Sequence, residues 1–220
     1  MNINLPPILD FNYETNKGTM FDTRDGQSYP VVKIGSQIWL AENFRYLPSK
    51  EKGDPYENSM IPDNSYLDKG YGRLYDWNTA LYISPDGWRL PSIEDFQELR
   101  DFIKKDNNLV PKLHAYQSNM SSLSISKYLI SNKSGGTYNG NDKYGFNAKF
   151  AGYFNISQIY LKVSPQGLGY EANFWTCNKD KPIFAELFDT LGFFNDEEEF
   201  QPHKGHPLNH LFSVRLIKNQ

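Results

Sequence analysis

Three of the four histidines in this 220-residue chain lie within eight residues of one another, at His203, His206 and His210. Imidazole nitrogens at this spacing can bind zinc or nickel, and Asp196 could supply a further ligand. The same segment contains prolines and a glycine, and the sequence predicts no helix that would hold the three rings together. We therefore interpret it as a polar loop, with a metal site at these histidines as the alternative.

The acidic residues and the single cysteine point to no further reactive site. The run 196–199 carries one aspartate and three glutamates, which is typical of a solvated loop but could also attract a cation or a basic partner. Cys177 is the only cysteine, which excludes an internal disulfide and a zinc site built from cysteines alone. We expect no cofactor.

The overall charge excludes several kinds of partner. The formal net charge is -3, with both signs scattered along the chain. A nucleic-acid or anionic-membrane surface needs a basic patch, so we expect neither partner. No apolar run reaches the length of a transmembrane helix, and the N-terminus lacks the basic and apolar regions of a signal peptide. The sequence therefore leaves two possibilities open. The protein stays in the cytoplasm, or it is exported by a targeting segment that is absent from this sequence.

The N-terminal half predicts one hairpin, a long loop and a helix. Residues 1–20 read as an irregular arm, and two apolar runs at 29–34 and 37–40 are separated by Gly35-Ser36, which predicts a β-hairpin. Residues 48–71 are rich in proline, glycine and polar residues, so we expect a functional surface loop or a lid. Leu74, Trp77 and Leu81 share one helical face, which predicts a helix over 74–81.

The stretch 84–96 combines a turn, a short strand and a helix start. Trp88 and Leu90 alternate with a polar residue, and Pro91 ends that strand. Ser92 and Asp95 have the spacing of a capping box, which predicts a helix beginning after Ser92. The apolar face of this helix carries Phe96, Leu99 and Ile103.

The remaining chain predicts a short helix over 122–130 and strands at 146–154, 174–177, 183–188 and 212–217. Two main helices among short strands and long loops indicate an α+β fold class. No break in composition divides the chain, so we expect a single domain over 21–220 after the arm at 1–20.

Six sequence blocks, in order, match one family. They lie at 25–44, 71–77, 87–92, 145–153, 174–176 and 212–215, and together they span about residues 20 to 218. On these blocks the chain resembles the Fibrobacter succinogenes major paralogous domain, which is common in proteins of Bacteroidetes-type bacteria. Two departures are Leu216, where the family usually has cysteine, and a longer, more acidic segment at 195–210.

The resemblance implies a C-type-lectin-like fold shared with formylglycine-generating enzymes, with short antiparallel strands. The enzyme branch of that fold binds copper through a cysteine pair, for which Cys177 alone lacks the second thiolate. Sugar-binding lectins hold calcium through clustered oxygen ligands, and Trp77-Asn78 matches only one part of that pattern. We therefore interpret Asn78 as a helix surface residue.

The residues of the matching blocks are assigned to the framework of the fold. They are Trp39, Glu42, Asn43, Trp77, Trp88, Arg89, Leu90, Pro91, Trp175 and Arg215. We expect the tryptophans to pack in the core, with sugar stacking as the alternative. We expect the two arginines to be half-buried and to pair with Glu42 or Asp76.

These features favour a non-enzymatic binding module that recognises a protein or a glycan through surface loops. The candidate loops are 48–71, 134–143 and 196–210, because loops on a rigid scaffold often carry recognition. The alternatives are a divergent metal-dependent enzyme that uses the C-terminal histidines and a structural domain of a surface assembly. The resemblance implies an extracellular or cell-surface location, although this sequence shows no signal peptide.

Overall fold

A computed structural model describes residues 6–50, 53–56, 58–62, 64–109, 125–134, 140–155, 164–177, 184–188 and 209–219. Within these residues the chain forms twelve strands and four helices. The strands make two sheets of six strands each.

The first sheet opens with a four-stranded meander. Its strands are β1 (Ile8–Asn12), β2 (Lys17–Asp22), β3 (Gln27–Ile34), β4 (Gln37–Leu40), β7 (Trp88–Arg89) and β12 (Ile217–Lys218). They lie in the order β1-β2-β3-β4-β12-β7, and all neighbours are antiparallel. Gly35 turns the chain between β3 and β4 with a φ of 61°, which favours glycine. The predicted hairpin at 29–40 is confirmed.

The second sheet is built mostly from the C-terminal half. Its strands are β5 (Ser59–Met60), β6 (Leu74–Tyr75), β8 (Phe154–Asn155), β9 (Glu171–Trp175), β10 (Phe184–Phe188) and β11 (His210–Ser213). The main path runs β10-β9-β11-β6-β5, and β8 pairs with β11. All these pairs are antiparallel except β11 with β9, which is parallel.

Of the four helices among the described residues, one is long and three are short. They are α1 (Asn64–Asp68), α2 (Trp77–Tyr82), α3 (Ile93–Asp106) and α4 (Ser126–Leu129). The fourteen-residue α3 buries Phe96, Leu99 and Ile103, as its periodicity predicts. The helix predicted over 74–81 begins later, because Leu74 and Tyr75 pair in β6.

Aromatic side chains dominate the interior. One cluster surrounds Trp39, whose ring contacts Phe96 and Phe146. A second includes Trp175, whose ring centroid lies 4.6 Å from that of Phe212. Such ring pairs contribute about 0.5–1.5 kcal/mol each beyond the area they bury. The two clusters take side chains from both sheets, so the sheets share one interior.

The predicted α+β class with two main helices is wrong. The described chain is mostly β, built from two curled and largely antiparallel sheets. Several strands are only two residues long, which is too short to show an alternating pattern in the sequence. They form because they pair with strands that lie far along the chain. For example, β12 pairs with both β4 and β7. The helix α2 adds only six residues.

The N-terminal segment also differs from its prediction. The irregular arm expected over 1–20 contains β1 and most of β2, which pair as a hairpin along five residue pairs. Met20 is fully buried against the second aromatic cluster. Residues before 21 therefore contribute to the core of the same folded unit.

The strand predicted over 212–217 is interrupted. Ser213 ends β11 in the second sheet and Ile217 begins β12 in the first, so residues 214–216 cross from one sheet to the other. All three crossing side chains are buried. Because both sides of the crossing face protein, residues 214–216 show no alternation of buried and exposed side chains.

The capping box at the start of α3 is confirmed. The Ser92 hydroxyl accepts from the Asp95 N–H at 3.2 Å, and the Ser92 N–H donates to Asp95 Oδ2 at 2.6 Å. Arg89 donates through both terminal nitrogens to the same carboxylate. Burial raises the pKa of Asp95, but the hydrogen bonds from Arg89 and Ser92 outweigh it and hold the pKa below its ordinary value.

We expect Asp95→Asn to lower the free energy of unfolding at pH 7 by about 1–2 kcal/mol, because it removes the ion pair and weakens the cap. The pKa of Asp95 is lower in the folded chain than in the unfolded one. Its stabilisation is therefore complete above about pH 4 and is lost as the pH falls through the lowered pKa. Urea unfolding of the wild type and the variant between pH 3 and 7 measures the difference.

Asp101→Asn is the matched control, since Asp101 lies on the same helix with a side chain that is 66% exposed. This control should change the unfolding free energy by less than about 0.5 kcal/mol. If Asp95→Asn showed the same stability and the same pH dependence as the wild type, the proposed role of the capping carboxylate would be wrong.

Candidate functional site

The loop 48–71 is anchored to the scaffold, although part of it is exposed. Near its start, Asp54 Oδ2 accepts hydrogen bonds from the Tyr46 hydroxyl at 3.0 Å and from the Ser49 N–H at 2.8 Å. Further along, β5 pairs with β6 and α1 forms one short helical segment. The loop therefore presents its exposed residues from a braced position.

Two tyrosines meet on the outside of this loop. Tyr56 belongs to the loop, and Tyr82 is the last residue of α2. Their ring centroids lie 5.2 Å apart with the planes tilted by 39°. Tyr56 is 38% exposed and Tyr82 58%. We call these two exposed residues, whose rings contact each other, the tyrosine pair.

One buried carboxylate couples the two elements that carry the tyrosine pair. Asp76 is the N-cap of α2, and its Oδ1 accepts from the Thr79 N–H at 2.7 Å. Its Oδ2 accepts from Asn58 Nδ2 at 2.8 Å, two residues beyond Tyr56. Asp76, which the sequence offered as a partner for an arginine, therefore fixes the loop against the helix.

A concave surface lies elsewhere, between the β3–β4 turn and α3. It encloses about 340 Å³ and is lined in part by Ser36, Glu98 and Phe102. The Ser36 hydroxyl donates to Glu98 across this groove. That contact pairs two of its polar groups with each other, so the groove is a weaker candidate for a ligand site than the tyrosine pair.

The other two candidate loops lie largely outside the described residues. Of 134–143 only 134 and 140–143 are described, and of 196–210 only 209 and 210. His203 and His206 fall outside the described residues, so the metal site proposed for them stays a prediction. His210 lies in β11, where its ring contacts Phe212 and Tyr153. Within the described ranges, no group of three histidine, cysteine, aspartate or glutamate side chains could hold a metal ion.

The tryptophans pack inside the protein. Trp39 and Trp175 are fully buried, Trp88 is 5% exposed, and Trp77 is partly buried. The Trp175 indole donates to the Tyr75 carbonyl at 2.7 Å. This placement agrees with the expected core packing. The neighbouring framework residues Leu90 and Pro91 are also buried, whereas Asn78 is exposed on α2 as expected.

Arg215 is fully buried, at the crossing between the two sheets. Its guanidinium donates to the carbonyls of Leu40, at 3.0 Å, and Phe146, and to Asn43 Oδ1, at 2.6 Å. It also lies over the rings of Phe146 and Phe174, 4.5 Å and 5.4 Å from their centroids. Burial lowers the pKa of Arg215 to about 9, so the side chain is still charged at neutral pH.

The expected ion pairs of the two arginines are wrong. Arg215 has only neutral hydrogen-bond partners among the described residues, and Glu42 pairs with Arg45 instead. Arg89 pairs with Asp95. The carbonyl partners of Arg215 come from distant parts of the chain and carry no charge, so the sequence has no signal that could identify them.

The family model for the Fibrobacter succinogenes major domain matches residues 32–218. The chain belongs to this family. The match starts inside β3 and ends in β12, so it includes the tyrosine pair and Arg215 but leaves out β1 and β2. The family resemblance drawn from the six sequence blocks is therefore confirmed.

No curated protein and no solved structure matches the chain. The lectin-like fold that the resemblance implied is therefore not confirmed, and the family match alone assigns no activity. In the parts of the chain that the structure describes, no helix is long and apolar enough to cross a bilayer.

We expect Arg215→Ala to destabilise the fold by at least about 3 kcal/mol, because it leaves buried acceptors without donors and opens a cavity between two rings. Arg215→Lys should cost less, since an ammonium group can still donate to some of the three acceptors. Chemical unfolding at pH 7 measures both variants.

Arg100→Met serves as the control, because Arg100 pairs with the exposed Asp101 on the outside of α3. We expect this change to cost less than about 1 kcal/mol. A loss below 1 kcal/mol in Arg215→Ala would contradict the role assigned to the buried guanidinium.

Proposed function

We propose that this domain is a non-enzymatic binding module that recognises a protein or a glycan through the loop 48–71 and Tyr82. The observation that carries the proposal is the exposed tyrosine pair, held between a braced loop and a capped helix. Tyrosine combines a large apolar ring with a hydroxyl group, which suits a surface that alternates between water and a partner. It is also enriched among the residues that dominate binding energy.

The rigidity of this surface supports the same proposal. A loop already fixed by Asp54 and Asp76 loses little conformational entropy when a partner binds. Aromatic rings are stiff side chains as well, with few rotatable bonds to immobilise. The surface is therefore suited to binding without rearrangement.

The roles of three buried carboxylates in the described part of the chain favour binding over catalysis. Asp22 pairs with Arg24, Asp76 caps α2, and Asp95 pairs with Arg89. Each of these groups is engaged in holding backbone or a neighbouring charge. A general acid or base must instead reach the substrate, so these carboxylates are poorly placed for proton transfer.

The proposal is tested by comparing the wild type with a Tyr56→Ala/Tyr82→Ala double variant on glycan arrays and in affinity pull-downs. We expect the double variant to lose at least tenfold in binding while keeping its fold, because both side chains are exposed. Circular dichroism and thermal unfolding check that the fold is kept.

Tyr170→Ala is the matched control, because Tyr170 is 56% exposed but lies in the turn before β9. Its binding should equal that of the wild type. If the wild type bound neither a glycan nor a protein, or if the double variant bound equally well, the proposed recognition surface would be wrong.

A further inference from the structure

The exposed area of the tyrosine pair itself is small. Tyr56 and Tyr82 are 38% and 58% exposed, so together they expose about as much surface as one fully exposed tyrosine, roughly 200 Å². A stable protein interface needs about 800 Å² on each partner. The tyrosine pair would supply about a quarter of that total area, which counts polar and apolar surface together, so on its own it suits a ligand with a small contact face.

Both residues of the tyrosine pair keep surface open to solvent. Their rings contact each other at a centroid distance of 5.2 Å with the planes tilted by 39°, yet Tyr56 and Tyr82 both remain more than one third exposed. Adjacent pyranose rings in a glycan chain are joined through a single oxygen, so their centres are also about one ring width apart. Two neighbouring sugar residues could thus each lie against one tyrosine.

The chemistry of a sugar ring complements that of a phenol ring. The C–H bonds on one face of a pyranose carry partial positive charge, and the face of an aromatic ring is negative. The tyrosine hydroxyls can donate to and accept from the sugar hydroxyls. Pro55, immediately before Tyr56, fixes its own backbone φ and so stiffens the chain that leads to Tyr56.

We infer that the tyrosine pair is a stacking platform for a neutral glycan chain, an inference that rests on the proposed function. Tyr56 and Tyr82 contact successive sugar rings, and Asp76 acts as a positioning residue that keeps the two phenols at the right distance. A protein partner is the competing occupant, and the experiment below separates the two.

The test is a titration of the wild type with linear hexasaccharides of glucose, xylose, mannose and N-acetylglucosamine, followed by calorimetry and by NMR of the ligand. At least one of the four sugars should bind. We expect Tyr56→Ala and Tyr82→Ala each to weaken that binding by about tenfold. The Tyr56→Phe/Tyr82→Phe variant keeps both rings and should lose less than threefold, whereas Tyr170→Ala should bind like the wild type.

Asp76→Asn tests the positioning role without removing either ring. This variant should weaken sugar binding and change the chemical shifts of both tyrosine rings. If Asp76 only stabilised the fold, the affinity of the folded fraction would stay unchanged. Sugar binding that survives the loss of both rings would place the glycan site elsewhere and overturn the inference.

Two further outcomes distinguish the inference from the proposed function. If none of the sugars bound but a protein partner were lost from pull-downs with the Tyr56→Ala/Tyr82→Ala variant, the glycan inference would fail while the proposed function stood. If no ligand of either kind depended on the pair, both would fail.

Discussion

The arrangement of the two sheets depends on a buried positive charge. Arg215 sits where the chain crosses from the second sheet to the first, and it bonds to the carbonyl of Leu40 at the end of β4. The ring of Phe174, from β9, lies against the same guanidinium. An isolated charge in a low-dielectric interior is costly, so it must be surrounded by oriented dipoles and aromatic faces. Both sheets supply those groups, and their relative position is thereby constrained.

Neutral groups surround this charge in place of a carboxylate. A buried ion pair carries the desolvation cost of two charges, and its attraction often fails to offset that cost. Here Asn43 accepts from Arg215 and also donates to the Tyr71 carbonyl and to the Ser213 hydroxyl. One amide therefore connects the buried charge to β11 and to the chain that leads into β6. The network holds several distant segments together with a single unpaired charge.

Asp76 serves the candidate site in a similar way. Its two oxygens accept from different elements, so the start of α2 and the loop 48–71 cannot move independently without breaking a buried hydrogen bond. The tyrosine pair lies outside this contact and takes no part in it. The buried carboxylate of Asp76 therefore fixes the position of the loop against the helix. The exposed rings of Tyr56 and Tyr82 make no hydrogen bond to that carboxylate.

Local features were predictable from the sequence, and long-range ones were not. The hairpin at 29–40 and the capping box at Ser92 were predicted because turn and cap residues act on their near neighbours. The mostly β class was missed because strands such as Trp88–Arg89 form only through pairing with a distant segment. At the candidate site, the loop 48–71 was identified by composition, but Tyr82 was not. The signal that could have found it is its position at the end of α2, outside the apolar face of Trp77 and Leu81.

This division of roles has a consequence for how the surface can vary. Changes at Tyr56 or Tyr82 remove exposed area and leave the hydrogen bonds of Asp76 and Arg215 in place, so they should cost little stability. Changes at the buried polar residues would instead leave orphaned partners in the interior. The scaffold can therefore present different side chains at the loop without refolding, which is the physical requirement for one fold to recognise different ligands.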